Sequence, residues 1–349
     1  MKRTTISRRN VLSAVAATGV VGVAGCLGGD DEDTYRMVLG GSSDSSSTFQ
    51  AGQALARAAD QHSDVLDISV QETAGWGAHL YEYDDGELSA FGVDNNSMSQ
   101  AMNDEGDYED NPVDELPMQG FVHANLEIFW IAVEGSDIES TADLQDGGYD
   151  VHPIQPGFGS RVLTEDIMKT ADIWDQNEIV NINASDVAGA VEEGRIDALA
   201  VYGTNQTNLA GWVEELDIRN EGELYLIEVD DNFFDAIEAT PGAVHTEIEP
   251  YAWEQDLTTL IDTTDAWVLP GQWAFGPDVP ADITYEIARL CHEHVDTIEE
   301  SDPVTLDFSD PEVMTTAIMP EVDVHPGIAE FFEEHGVWDD EWTRGEAEE

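Results

Sequence analysis

Residues 35–59 read YRMVLGGSSDSSSTFQAGQALARAA, and the three parts of this stretch set the class of the fold. Tyr35-Arg36-Met37-Val38-Leu39 is a short, largely apolar run of strand type. Gly40 to Ser47 is a loop of glycine and serine. Ala51, Ala54, Leu55, Ala58 and Ala59 then recur at i, i+3, i+4, i+7 and i+8, which lays one apolar stripe along a helix. A strand passing through a glycine-rich turn into an amphipathic helix is the repeating unit of α/β folds with parallel sheets.

The unit recurs downstream. The patterning predicts strands at 66–72, 88–93 and 128–133, with an acidic loop at 104–115. A second alternating block predicts strands at 149–152, 178–182, 196–201 and 224–229. Its helices fall at 160–170, around 187–193 and up to 216. The last third reads as helical, over 281–299 and again after His325-Pro326-Gly327, with a frayed tail at 344–349. A chain of 349 residues is too long for one ordinary core and suits two lobes. Residues 35–133 with 259–349 form the first, and 134–258 the second.

The start of the chain carries an address. Ser7-Arg8-Arg9-Asn10-Val11-Leu12 reads as a twin-arginine export signal, followed by an apolar run to Val23 and the lipobox-like Val23-Ala24-Gly25-Cys26. That run falls short of the roughly 20 apolar residues of a membrane span, so 1–25 is a signal peptide. Cys26 would carry a lipid at the outer membrane surface, and 26–34 would be a flexible tether. The alternative is secretion without a lipid.

Composition points to salt. Asp and Glu number 75 against 12 Lys and Arg, a net charge of −63, and four of the cations (Lys2, Arg3, Arg8, Arg9) precede Cys26. Lys169 is the only lysine after them. This resembles the composition of extreme halophiles, haloarchaea in particular. Acidic disorder is excluded, because 41% of residues are hydrophobic and nine are Trp. Nucleic acid is excluded as a partner, since there is no basic patch to meet phosphates. With Cys26 lipidated, Cys291 is left alone and no intramolecular disulfide forms. Cys291-His292-Glu293-His294 does not put three ligands on one helix face, so no metal site is expected and Cys291 reads as a small buried residue.

Four loops follow predicted strands, where doubly wound folds hold their ligands. Ser46, Ser47 and Thr48 close the serine loop at a helix start, where backbone N–H groups and hydroxyls can meet an anion; a simple N-cap is the alternative. Thr73-Ala74-Gly75-Trp76 offers an aromatic wall for a small molecule, or a core plug. Pro156-Gly157-Phe158-Gly159-Ser160-Arg161 opens a helix, and Arg161 could grip a carboxylate with two parallel bonds or form an internal ion pair. Tyr202-Gly203-Thr204-Asn205 supplies neutral donors and acceptors. Asn95, Asn183 and Asn205 also begin N-glycosylation sequons, and a glycan at Asn205 would compete with a pocket there. No Gly-x-Ser-x-Gly elbow, Walker loop or His-Glu-x-x-His motif occurs.

These loops resemble the TAXI family, solute receptors of the tripartite ATP-independent periplasmic (TRAP) transporters. The resemblance runs in order along nearly the whole chain after Cys26. It rests on Ser46-Ser47-Thr48-Phe49, Glu72 to Trp76, Gly86 to Phe91, Ser140 to Leu144, Pro156 to Arg161, Gly194 to Ala198, Val279 to Ile287 and His325-Pro326-Gly327. It implies a two-lobed periplasmic-binding-protein-like fold of type II, each lobe a mostly parallel sheet flanked by helices. It further implies a small organic anion or amino acid in the cleft, a TRAP-type membrane permease as partner, no cofactor and no catalysis. On that reading Arg161 clamps the carboxylate and Ser46, Ser47 and Thr48 hydrogen-bond the solute. Thr73, Gly75, Trp76, Gly159 and Ser160 line the cleft, while Tyr202, Asn205, Asp94 and Asn95 read the remainder. The alternative partner is an ABC importer, whose receptor would share this fold and anchor; an extracellular hydrolase is the rival of another class.

Overall fold

The serine run ends in a cap. Ser46 Oγ accepts from Phe49 N at 3.1 Å and donates to Gly41 O at 2.8 Å, which starts the first helix, α1 (Ser47–His62). The stripe read from sequence is its buried face: Ala54, Leu55, Ala58 and Ala59 are each 2% exposed or less. The computed structural model describes residues 34–42 and 46–348. The expectations for the signal 1–25, for Cys26 and for the tether up to residue 33 lie outside the described residues, as do Ser43, Asp44 and Ser45 of the serine loop.

From Thr34 the chain packs as one compact unit. It opens with β1 (Tyr35–Gly40), α1, β2 (Leu66–Gln71), α2 (Trp76–Asp84), β3 (Ala90–Asp94) and α3 (Asn95–Asn103). A long strand, β4 (Met118–Val133), leads into α4 (Thr141–Asp146), β5 (Asp150–His152), α5 (Gly159–Thr170), β6 (Glu178–Ile179) and α6 (Ala184–Glu192). Then come β7 (Ala198–Thr204), β8 (Asn208–Leu209), α7 (Gly211–Arg219), β9 (Leu224–Leu226), α8 (Asp231–Ala239) and β10 (Val244–Ile248). A second long strand, β11 (Thr264–Phe275), precedes α9 (Ala281–Glu293), α10 (Val295–Glu299), α11 (Pro311–Met314) and α12 (Pro326–His335).

The strands form one sheet in the order β2-β1-β3-β11-β4-β7-β5-β6, with β10 on β11, β8 on β7 and β9 on β4. The outer members pair in parallel: β2 with β1, β1 with β3, β7 with β5 and β5 with β6. The α/β class is the one expected. The centre is antiparallel, because β4 and β11 run side by side through both halves of the sheet. β11 pairs with β10 through Val268 and with β3 from Gly271 onward, so Pro270 sits where the neighbour changes. Proline has no N–H to give a ladder, and such a gap is where a strand can carry one. The β4–β11 register also shifts next to Gly271 and Gln272.

Each half has its own apolar cores. One half packs Leu39, Leu55, Phe121, Trp273 and Phe331 together, with a second cluster around Leu80, Phe91 and Met98. The other half packs Trp130, Phe233 and Trp267, and separately Phe129, Val213 and Leu216.

Two expectations are corrected. The tail is tied down rather than frayed: Val324 bridges both Gln119 and Arg344, Gly345 N donates to Val324 O at 2.8 Å, and Arg344 pairs with Glu333 at 3.1 Å. The helix over 281–299 is broken at His294 into α9 and α10. Cys291 is buried at 2% exposure, as read, and burial pushes its thiol pKa up.

Candidate functional site

Four helices start at one place. Thr48 lies in the first turn of α1, Trp76 begins α2, Asp94 caps α3 and Gly159 begins α5. Trp76 Nε1 donates to Thr48 Oγ1 at 2.8 Å, joining the first two. A Cβ added at Gly159 would stand 3.8 Å from Asp94 Oδ2 and 3.5 Å from Leu269, so the α5 start abuts the α3 start. A Cβ added at Gly271 would come within 2.8 Å of the Trp76 ring, which places the indole over the crossing of β11 between the halves. Helix amino ends carry unpaired N–H groups and the positive end of the dipole, so their meeting favours a polar or anionic guest.

Each residue singled out from sequence has a definite place. Ser46 is the α1 cap, and Ser47 is half-buried beside it. Thr48 is 1% exposed. Thr73 Oγ1 accepts from Ser42 N at 2.9 Å and is bonded to His79 Nε2. Gly75 holds φ +119°, which L side chains rarely adopt, and so lets the chain turn sharply into Trp76. Asp94 is fully buried and accepts from Ser97 N and Oγ; burial raises its pKa against those bonds. Asn95 donates to Ala317 O at 2.8 Å and accepts from Gln272 at 2.7 Å. Ser160 is buried next to Gly159.

Thr48, Trp76, Asp94 and Gly159 are thus brought together, with Thr73 linked through His79. Arg161 is engaged by the chain itself through Nε and Nη1. It is 6% exposed, donates from Nη1 to Ile154 O at 2.9 Å and from Nε to Glu165 at 3.3 Å, and lies 5.0 Å above the Trp174 ring. This is the internal ion pair that the sequence left open as its alternative. Tyr202 packs edge-on to Trp212, and Asn205 accepts from Asn125 N and donates to Val304 O, which ties it to β4 one residue from Ala124, the partner of Gly271. Asn95 and Asn205 have their side-chain amides engaged, whereas Asn183 is exposed, so a glycan fits only at Asn183 among the three sequons. Beside the cluster a groove of ≈ 520 Å³ opens between α3 and α5, lined by Asn96, Gln100, Glu165, Asp166, Lys169 and Thr240.

Sequence reasoning missed His79 and His123. His79 Nδ1 meets Gly92 O at 2.6 Å, and His123 lies in the middle of β4 between the rings of Trp76 and Trp273. The only available signal was a histidine inside an apolar run. Among the described residues no group of three or more His, Cys, Asp and Glu could hold a metal ion.

The family described as NMT1-like matches residues 39–336, from β1 to the end of α12, and so takes in both halves of the sheet and the cluster between them. The chain belongs to the NMT1-like family. This is a family of periplasmic, extracytoplasmic solute-binding proteins, and the NMT1-like chain is in broad terms a solute receptor. No curated protein matches its sequence. Among solved structures it is similar to a TctC solute binding protein from Polaromonas, at 14% identity and TM-score 0.46, over 77% of this chain and 88% of that one. It is also similar to the periplasmic aliphatic sulphonate binding protein SsuA from Escherichia coli, at 14% identity and TM-score 0.41, over 88% and 94%. No helix of the described NMT1-like chain is long and apolar enough to cross a membrane.

Proposed function

We propose that the protein is the receptor of a TRAP-type transporter, similar to the TAXI type, and takes up a small carboxylate-bearing solute such as an amino acid or dicarboxylate. One observation carries the reading: the amino ends of α1, α2, α3 and α5 meet where β4 and β11 pass between the halves. The carboxylate is met by N–H groups at those helix starts and by the hydroxyls of Ser47, Thr48 and Ser160, while Arg161 stiffens α5 from within. The two halves act as lobes. They divide at Asn125 of β4 and Pro270 of β11, where the strands change partners, and close by a hinge motion. A lipid on Cys26 holds the receptor at the outer face of the membrane, near the permease that receives the solute.

Thermal unfolding in molar KCl with a panel of amino acids and dicarboxylates tests the capture step. A ligand that binds only the folded chain raises the midpoint by mass action. The expected result is a concentration-dependent rise with at least one member; a folded protein whose midpoint no member moves would overturn the proposal. Uptake with the co-expressed permease separates the transporter types. A TRAP partner loses uptake when the ion gradient is collapsed, and an ABC importer loses it when ATP is depleted.

A further inference from the structure

The floor of this cluster is a histidine with nothing to bond. His123 is 2% exposed, and neither ring nitrogen has a hydrogen-bond partner. Its ring lies 4.4 Å from Trp273 and 6.2 Å, edge-on, from Trp76. It fits there because two neighbours lack side chains. A Cβ at Gly92 would stand 3.0 Å from His123 Nε2, and one at Gly271 would stand 3.1 Å from Cε1. The methyl of Thr48 approaches the same Gly92, so the Thr48 side chain and the Trp76 indole cover the imidazole from above.

An orphaned polar ring in a core is costly, and an apolar ring of the same shape would fill the space without that penalty. Burial, with His79 nearby, pushes the His123 pKa down to about 3, so the ring is neutral at ordinary pH. A neutral imidazole offers one donor and one acceptor and no charge. A carboxylate beside it would be stripped of water with no cation in return, and the α3 start in the same cluster already holds the buried carboxyl of Asp94. A carboxamide both donates and accepts, which complements the ring.

We propose that His123 is the specificity-determining floor of the solute site and pairs with an uncharged donor–acceptor group, a carboxamide or hydroxyl, at the inner end of the solute. Trp76 leaves its seat on Thr48 to admit that end, while the carboxylate stays at the helix starts. This inference rests on the receptor reading above.

Matched pairs sharing one carboxylate end test it: L-glutamine against L-glutamate, and succinamate against succinate, titrated by calorimetry into the full-length protein in molar KCl. The amide of a pair binds at least about tenfold tighter than the acid, a ratio large enough to read directly as a free-energy gap. His123→Phe removes that preference and weakens the amide by a similar factor, while its midpoint without solute is unchanged or higher. His123→Gln, which keeps a donor and an acceptor, retains part of the affinity. Any of four results overturns the proposal. If the acids bind as well as the amides, or His123→Phe binds like the parent, the receptor reading stands and His123 loses its role. If His123→Phe unfolds at a clearly lower midpoint without solute, the ring is structural. If no probe binds the parent protein at all, the small-carboxylate reading fails and this inference falls with it.

Discussion

Arg161 shows how a scarce charge is committed by its surroundings. It opens a helix, where a cation runs against the dipole, yet the guanidinium reaches Ile154 O before α5 and Glu165 one turn along it. The pair is partly screened on the Glu165 side, which is 29% exposed, so its worth lies in the buried hydrogen bond to Ile154 more than in Coulomb attraction. Arg161→Ala leaves that carbonyl unpaired and costs about 1–3 kcal/mol. The midpoint should fall by several degrees in calorimetry, while affinity for any solute that binds the parent changes only a few-fold. A large loss of affinity in a variant of normal stability would return Arg161 to the binding site. The identity of the residue and its place at a helix start were legible in sequence. Glu165 lies at the i,i+4 position of the same helix, whereas the Ile154 carbonyl seven residues back was not legible, because it reaches Arg161 only once the turn 154–158 is formed.

At the scale of elements, the strand–loop–helix units with a local signal were legible: β1 with α1, β5 with α5, β7, and the helix after His325-Pro326-Gly327. The two elements that organise the site were read short or missed. Only 128–133 of β4 was recognised, and β11 was not recognised at all. Both carry Gly, Pro or polar residues mid-strand (Asn125, Glu127, Pro270, Gly271, Gln272), and such residues break the alternation that marks a half-buried strand. They are tolerated because tertiary partners satisfy them. Glu127 on β4 accepts from Gln206 N at 3.1 Å and Tyr251 OH at 2.9 Å, tying the β7–β8 turn and the segment before β11 to the central strand. Burial lifts its pKa from 4.5 to about 7 despite those bonds. The folded chain therefore holds this proton more tightly than the unfolded chain does. The contribution to stability is full below the ordinary carboxyl range and is lost as pH rises through about 7, a change of roughly 3 kcal/mol at most. Glu127→Gln keeps an acceptor and removes the titration. Its unfolding midpoint between pH 5 and 8 should fall less steeply than that of the parent, and parallel pH profiles would refute this.

The whole molecule must fold against its own charge. A net charge of −63 opposes compaction, and several of the few cations among the described residues are held in pairs, such as Arg219 with Glu192 and Arg289 with Glu286. Raising salt from about 0.1 M to about 1 M shortens the screening length from about 10 Å to about 3 Å. The midpoint measured by circular dichroism should therefore climb steeply with KCl over that range, and a flat response would show that compaction does not depend on screening. The sequence by itself determined the class of the fold, its buried helix stripes and its strongly acidic charge, because each follows from local periodicity or from composition. Tertiary structure alone decided that β4 and β11 cross between the halves, that Arg161 is tied inside, and that His123 lies unpartnered under Trp76. Those outcomes depend on which distant segments meet, and no local pattern encodes a contact between Gly92 on β3, His123 on β4 and Gly271 on β11.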